Sequence, residues 1–196
     1  MILSINPQNP QQRLINRVGE VLDKGGLIAY PTDTFYGIGC DLFNKKGIQR
    51  IYKLKNRPLT KPFSIICDSL KEISRYAQVT NYAYKTMRRL LPGPYTFILE
   101  GTKLVPKIML TKRKTVGIRV PDNKICLTLV RTLGRPIIST SAILDDPHSI
   151  QEAYPSYLDI VIDGGVLYPN PSSVISLIGD VPEVIREGKG DITDFL

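Results

Sequence analysis

Residues 11 to 40 read QQRLINRVGEVLDKGGLIAYPTDTFYGIGC. Leu14, Ile15, Val18, Val21 and Leu22 recur at helical spacing, and the pair Gly25-Gly26 ends the pattern, so residues 11 to 24 predict an amphipathic helix laid on another layer. Leu27, Ile28, Ala29 and Tyr30 then form a short apolar run closed by Pro31, as expected of a buried strand leading into a functional loop. In that loop Gly37 and Gly39 stand beside the hydroxyls of Thr32, Thr34 and Tyr36. The expectation is a tight turn at which the backbone approaches a ligand closely.

The alternation continues toward the carboxyl end. Ile48, Ile51, Tyr52 and Leu54 mark a second helix that stops before Arg57-Pro58. Further strands are expected over 63–67, 95–99, 115–120, 136–140, 158–162, 173–177 and 183–186. Helices are expected over 70–75 with Asp68 as cap, over 81–91 with Thr80 as cap, and from a cap at Asp122 to Leu133, where Gly134 closes the element. Residues 144 to 155, with Asp145-Asp146-Pro147, read as the most mobile loop. Several late strands follow one another directly, so the fold class is α/β: a twisted, mixed parallel and antiparallel sheet with flanking helices. Without a repeat, low-complexity tract or long linker, residues 1 to 196 read as one domain.

A chain of 196 residues with 42% hydrophobic content can bury roughly 70% of its unfolded surface without a metal or disulfide staple. Cys40, Cys67 and Cys126 are far apart, odd in number and set in apolar surroundings, which predicts reduced, mostly buried thiols. There is no CxxC and a single histidine, His148, so a zinc site is not expected. The opening MILSINPQNPQQRL lacks a basic start and a long apolar core, and no long apolar run occurs elsewhere; a cytoplasmic protein is the expectation.

Charge and missing motifs narrow the chemistry. The formal charge is +8, with much of the excess in residues 45–61 and 103–119, which favours phosphate-bearing partners. Lys112, Arg113 and Lys114 fit a solvated face equally well. GxxxxGK[ST] and GxGxxG are both absent, which excludes the two common phosphate cradles. A serine hydrolase triad would need a histidine base, and His148 sits in a polar Asp-Pro context.

What remains is a set of cations and hydroxyls. Lys55, Arg57 and Lys61, punctuated by Pro58 and Pro62, cannot share one continuous helix face and are expected to converge on a polyanion from an irregular turn. Ser139, Thr140 and Ser141 follow an apolar run, where ligands of α/β proteins bind. Ser172 and Ser173 open a later strand, and Arg186 ends another.

At these residues the sequence resembles the YrdC-like family, the threonylcarbamoyl-adenylate synthases of tRNA modification, and within it the YciO branch. YPTDTFYGIGC, KLKNRPLTKP, PYTFIL, KTVGIRVPDN, STSAI and VIREGKGD carry the resemblance in order along nearly the whole chain. It implies a large positive cavity that binds ATP with Mg²⁺, L-threonine and bicarbonate. It also implies association with RNA, either tRNA or double-stranded RNA, in several members. By resemblance Lys55 and Arg57 are the catalytic pair. Lys55, Arg57, Lys61, Thr115, Ser139, Ser141 and Arg186 would hold ATP, and Thr34, Arg119 and Ser172 would hold threonine, with no dedicated protein ligands for a metal. The alternative that the YciO branch implies is an RNA-binding protein with little synthesis, or one that breaks down the adenylate. Two departures favour that branch: Ile143 stands where synthases carry the Asn of SxN, and Ile66 where a histidine often follows the basic turn.

Overall fold

A computed structural model describes residues 1–179 and 181–195. The chain runs β1 (Ile2–Ser4), α1 (Gln12–Asp23), β2 (Ile28–Tyr30), β3 (Gly37–Asp41), α2 (Lys45–Leu54), β4 (Ser64–Ile66), α3 (Leu70–Tyr76) and α4 (Asn81–Leu90). It continues through β5 (Tyr95–Glu100), β6 (Thr115–Arg119), α5 (Lys124–Leu133), β7 (Ile137–Ser141), α6 (Pro147–Ala153), β8 (Ile160–Asp163), β9 (Ser173–Ser176) and β10 (Glu183–Arg186). The described strands form one sheet in the order β1-β8-β2-β3-β7-β4-β6-β5-β9-β10. Parallel pairs (β1 with β8, β8 with β2, β4 with β6, β5 with β9) are interleaved with antiparallel ones, which is the mixed sheet the sequence predicts.

The two faces of this sheet are covered unequally, and that difference positions the site. One face packs a continuous core built from β-strand residues and from Ile51 and Tyr52 of α2, Ile73 of α3, Met87 of α4 and Ile150 of α6. On the other face a smaller core joins Ile15, Val18 and Leu22 of α1 and Ile125, Leu129 and Val130 of α5 to Ile28, Tyr30, Ile160 and Ile162. α1 and α5 therefore roof the β8–β2 side. Side chains alternate along a strand, so residues of β4, β5, β6, β7 and β9 on this second face reach beyond the roof. They are small or polar where they do: Ser64, Thr96, Thr115, Gly117, Ser139 and Ser141 line an open cavity.

Several local expectations hold and others are corrected. Thr80 caps α4 through its hydroxyl, which accepts from Ala83 N at 3.1 Å. Asn123, not Asp122, caps α5, accepting from Cys126 N at 3.0 Å, while Gly134 ends that helix with φ 70° as expected. Ser69 rather than Asp68 caps α3, its hydroxyl accepting from Glu72 N. Residues 144 to 155 are not a structureless loop: Asp146 accepts from Ser149 N at 2.7 Å and Pro147 opens α6, whose Ile150 is fully buried. Proline at the first helical position behind an Asp cap is a helix start, and apolar burial then holds it.

The tight turn expected at Gly37 and Gly39 is a strand. Both lie in β3, paired to Tyr30 and Ile28 of β2 and to Ser141 and Ser139 of β7. A Cβ on Gly37 would stand 2.7 Å from the Tyr30 ring, and one on Gly39 would stand 2.9 Å from it and 2.4 Å from the Ile138 carbonyl. These glycines thus make room for a tyrosine ring, and Gly37 also borders the cavity. All three cysteines are buried, as expected, and burial pushes their thiols up.

Candidate functional site

The cavity measures about 580 Å³, within the range of small-molecule sites. Arg57, Lys61, Arg119 and Arg186 line it, and no carboxylate does among the described residues. A concave surface carrying four cations and ringed by hydroxyls suits a polyanion. Thr34, Thr115, Ser139, Ser141 and Ser172 share this cavity with those four, so nine of the ten candidate residues meet in one hollow.

Lys55 is the exception. It sits at the carboxyl end of α2, half-buried, and its Nζ donates to the Ser141 carbonyl at 3.1 Å instead of lining the cavity. Burial, then the neighbouring Arg57, lowers its pKa. Its place is beneath the β7 rim, where it holds the backbone that carries Ser141.

Arg57 organises the basic turn. Its Nε donates to the Lys61 carbonyl at 2.6 Å and its Nη2 to the Pro62 carbonyl at 3.1 Å, while the guanidinium lies 4.8 Å from the Phe63 ring centroid. A planar fork can satisfy two carbonyls and stack at once, and an ammonium cannot. Nη1 has no protein partner among the described residues, and the Lys61 side chain is exposed without one. Lys112, Arg113 and Lys114 are exposed and line no part of the cavity.

Two further arginines are held in place by neighbours. Arg119, at the end of β6, donates through Nη2 to Asp33 Oδ1 at 2.8 Å and to Thr34 Oγ1 at 3.0 Å. Its Nε is buried without a partner among the described residues. Arg186, at the end of β10, places Nε and Nη2 on the Ser172 carbonyl at 3.2 and 2.7 Å, and Ser172 Oγ lies 2.9 Å from Thr96 Oγ1.

Several residues escaped the sequence reading. Asp33 accepts from Arg119 and, through Oδ2, from Asp122 N at 3.1 Å, and Lys189 Nζ donates to the Asp33 carbonyl at 2.7 Å. Thr96, Thr111 and Ser64 line the cavity, and Thr111 Oγ1 lies 2.7 Å from Thr115 Oγ1. Only Asp33 had a signal, an acid inside an otherwise uncharged loop next to two threonines. Ile66 is buried in the smaller core, and Ile143 is 72% exposed and outside the lining. Among the described residues no group of three or more His, Cys, Asp or Glu could hold a metal ion.

The Sua5/YciO/YrdC family model, described as "Telomere recombination", matches residues 20–188. This chain belongs to the Sua5/YciO/YrdC family. YciO of Escherichia coli (strain K12), described as an uncharacterized protein, is 44% identical over 98% of this chain and 97% of its own length. Its crystal structure superimposes with a TM-score of 0.95 at 43% identity, covering 100% of this chain and 99% of that one. A putative threonylcarbamoyl-AMP synthase of Methanocaldococcus jannaschii is 35% identical over 95% of this chain and 92% of its own. The structure of Sua5 from P. abyssi complexed with L-threonine matches with a TM-score of 0.87 at 28% identity; this chain covers 57% of it. Membership in the Sua5/YciO/YrdC family thus joins this chain to proteins named synthases and to YciO. No helix among the described residues is long and apolar enough to cross a membrane.

Proposed function

We propose that this protein binds ATP and L-threonine and acts as a nucleotidyltransferase of the threonylcarbamoyl-AMP synthase type, linked to tRNA threonylcarbamoyladenosine modification. The observation that carries this reading is one cavity lined by Arg57, Lys61, Arg119 and Arg186 and, among the described residues, by no carboxylate. In the reaction, the threonine amine and bicarbonate condense to a carbamate with loss of water, and a carbamate oxygen attacks the α-phosphorus of ATP. The bond to the β-phosphate oxygen breaks, and its electron pair leaves with pyrophosphate. Charge builds on phosphoryl oxygens, so the protein's part is positioning and charge neutralisation.

In this assignment Arg57, Lys61 and Arg186 face the phosphates, with Thr115, Ser139 and Ser141 along the nucleotide. Arg119, Thr34 and Ser172 take the amino acid, the arginine pairing with its carboxylate. The contact between Arg186 and Ser172 supports the arrangement, because it brings a phosphate-side cation next to the amino-acid side. Lys55 acts through the Ser141 carbonyl. Mg²⁺ would enter on the nucleotide and neutralise phosphate charge; among the described residues no group of three or more His, Cys, Asp or Glu could hold it.

The test is incubation with ATP, L-threonine and bicarbonate, reading pyrophosphate and the adenylate. Release of both in a threonine-dependent way is expected. Absence of both synthesis and breakdown of added adenylate would remove the enzymatic reading. Breakdown without synthesis is a second reading, favoured by Ile143, whose side chain offers no polar group where synthases of the family carry asparagine. A third outcome, salt-dependent binding of tRNA or double-stranded RNA without nucleotide turnover, would assign the positive cavity to RNA.

A further inference from the structure

Tyr30 is fully buried on β2, yet its hydroxyl reaches Ser139 on β7, two strands away, and donates to Ser139 Oγ at 2.7 Å. It crosses β3 where Gly37 and Gly39 leave a trough: side chains there would collide with the ring. Among the described residues no other group accepts the proton of this buried phenol, so Tyr30 serves Ser139 as a donor; burial, the largest cause, raises its pKa and keeps that proton in place.

A serine hydroxyl has one proton and two lone pairs. Ser139 accepts from Tyr30, and among the described residues nothing accepts its own proton. Ser141 is wired alike: its Oγ accepts from Ile143 N at 3.0 Å, and among the described residues its proton has no acceptor. Thr34 is wired oppositely. Thr32 Oγ1 gives its proton to the Phe35 carbonyl at 2.6 Å, so in the 3.1 Å contact between the two threonines Thr34 must be the donor. Thr34 Oγ1 also accepts from Arg119, which leaves it a lone pair to offer a ligand. One cavity thus has a donor wall on β7 and an acceptor at Thr34.

We propose that Tyr30 is a positioning residue: its hydroxyl fixes Ser139 as a hydrogen-bond donor toward a phosphoryl oxygen of the bound nucleotide. The proposal rests on the nucleotide reading above. It explains the glycine pair by the room the Tyr30 ring needs, and it assigns Ser139 a polarity. An acceptor on the ligand is favoured there, and a ligand N–H would have to displace the tyrosine bond.

Calorimetric titration of wild type, Tyr30→Phe, Ser139→Ala and the double variant with ATP and with adenosine tests it. Tyr30→Phe keeps the shape of the ring, and thermal melts check that each variant is folded. Tyr30→Phe is expected to weaken ATP about three- to tenfold, as for one neutral hydrogen bond, and Ser139→Ala about tenfold or more, as for one charge-assisted hydrogen bond. The double variant should bind like Ser139→Ala alone, because Tyr30 acts through Ser139. Adenosine affinity should be unchanged in all variants. Wild-type ATP affinity in Tyr30→Phe, losses that multiply in the double variant, or an equal loss for adenosine would overturn the positioning role while leaving nucleotide binding intact. A wild-type protein that binds neither ligand would overturn the nucleotide reading and this inference with it.

Discussion

Arg119 and Asp33 form an ion pair at 2.8 Å with side-chain exposures of 11% and 8%, at the point where β6 ends against the loop that follows β2. The carboxylate also accepts from Asp122 N, so one acid ties a cavity cation to the loop ahead of α5. Removing one partner of a buried pair leaves the other charge uncompensated. Asp33→Ala is therefore expected to destabilise by about 3 kcal/mol, a fall of about 6 to 12 °C in Tm for a chain of this size. A Tm within about 2 °C of wild type would show that water already solvates Arg119.

Arg57 grips two carbonyls of its own turn and lies over Phe63. Lysine carries the same charge but lacks the fork. Arg57→Lys should lose about as much ATP affinity as Arg57→Ala, on the order of tenfold. Retention of wild-type affinity in Arg57→Lys would show that charge alone matters there.

Ile143 has φ 66°. A β-branched side chain in that left-handed region is strained, whereas asparagine tolerates it. Ile143→Asn is expected to stabilise the protein by about 1 kcal/mol in urea unfolding. Unchanged or lower stability would show that the turn is relaxed with isoleucine.

Burial raises the Glu72 carboxyl from 4.5 to about 7, with the Asp68 backbone N–H and Arg75 opposing and the Asp68 carboxylate adding to the rise. Asp68 is itself 3.5 Å from Arg131 on α5. Between these values the folded state binds more protons than the unfolded state, so this group's contribution to stability is complete below about pH 4.5 and declines as pH rises toward 7. Glu72→Gln should therefore gain stability relative to wild type between about pH 5 and 8. A constant difference across that range would place the carboxyl at an ordinary value.

Much of the site was legible because strand alternation writes it into the chain. In TVGIR, Thr115, Gly117 and Arg119 fall on one face and Val116 and Ile118 on the other. The same period sets Ser139 and Ser141 together. Lys55 stands at the helix end that the sequence predicts, but its side chain turns to the Ser141 carbonyl, a direction that spacing cannot specify. Gly37 and Gly39 were read as approaching a ligand because glycine announces a close contact without saying with what.

Local residues thus determined most of the elements, the mixed sheet class and the stock of cations and hydroxyls, since caps, prolines and periodicity act over a few neighbours. Tertiary structure alone decided which part of their sheet face α1 and α5 leave unroofed, that Tyr30 reaches Ser139 across β3, and that Asp33 answers Arg119. Those outcomes depend on which strands lie side by side, and partners such as Tyr30 and Ser139 are 109 positions apart in the chain.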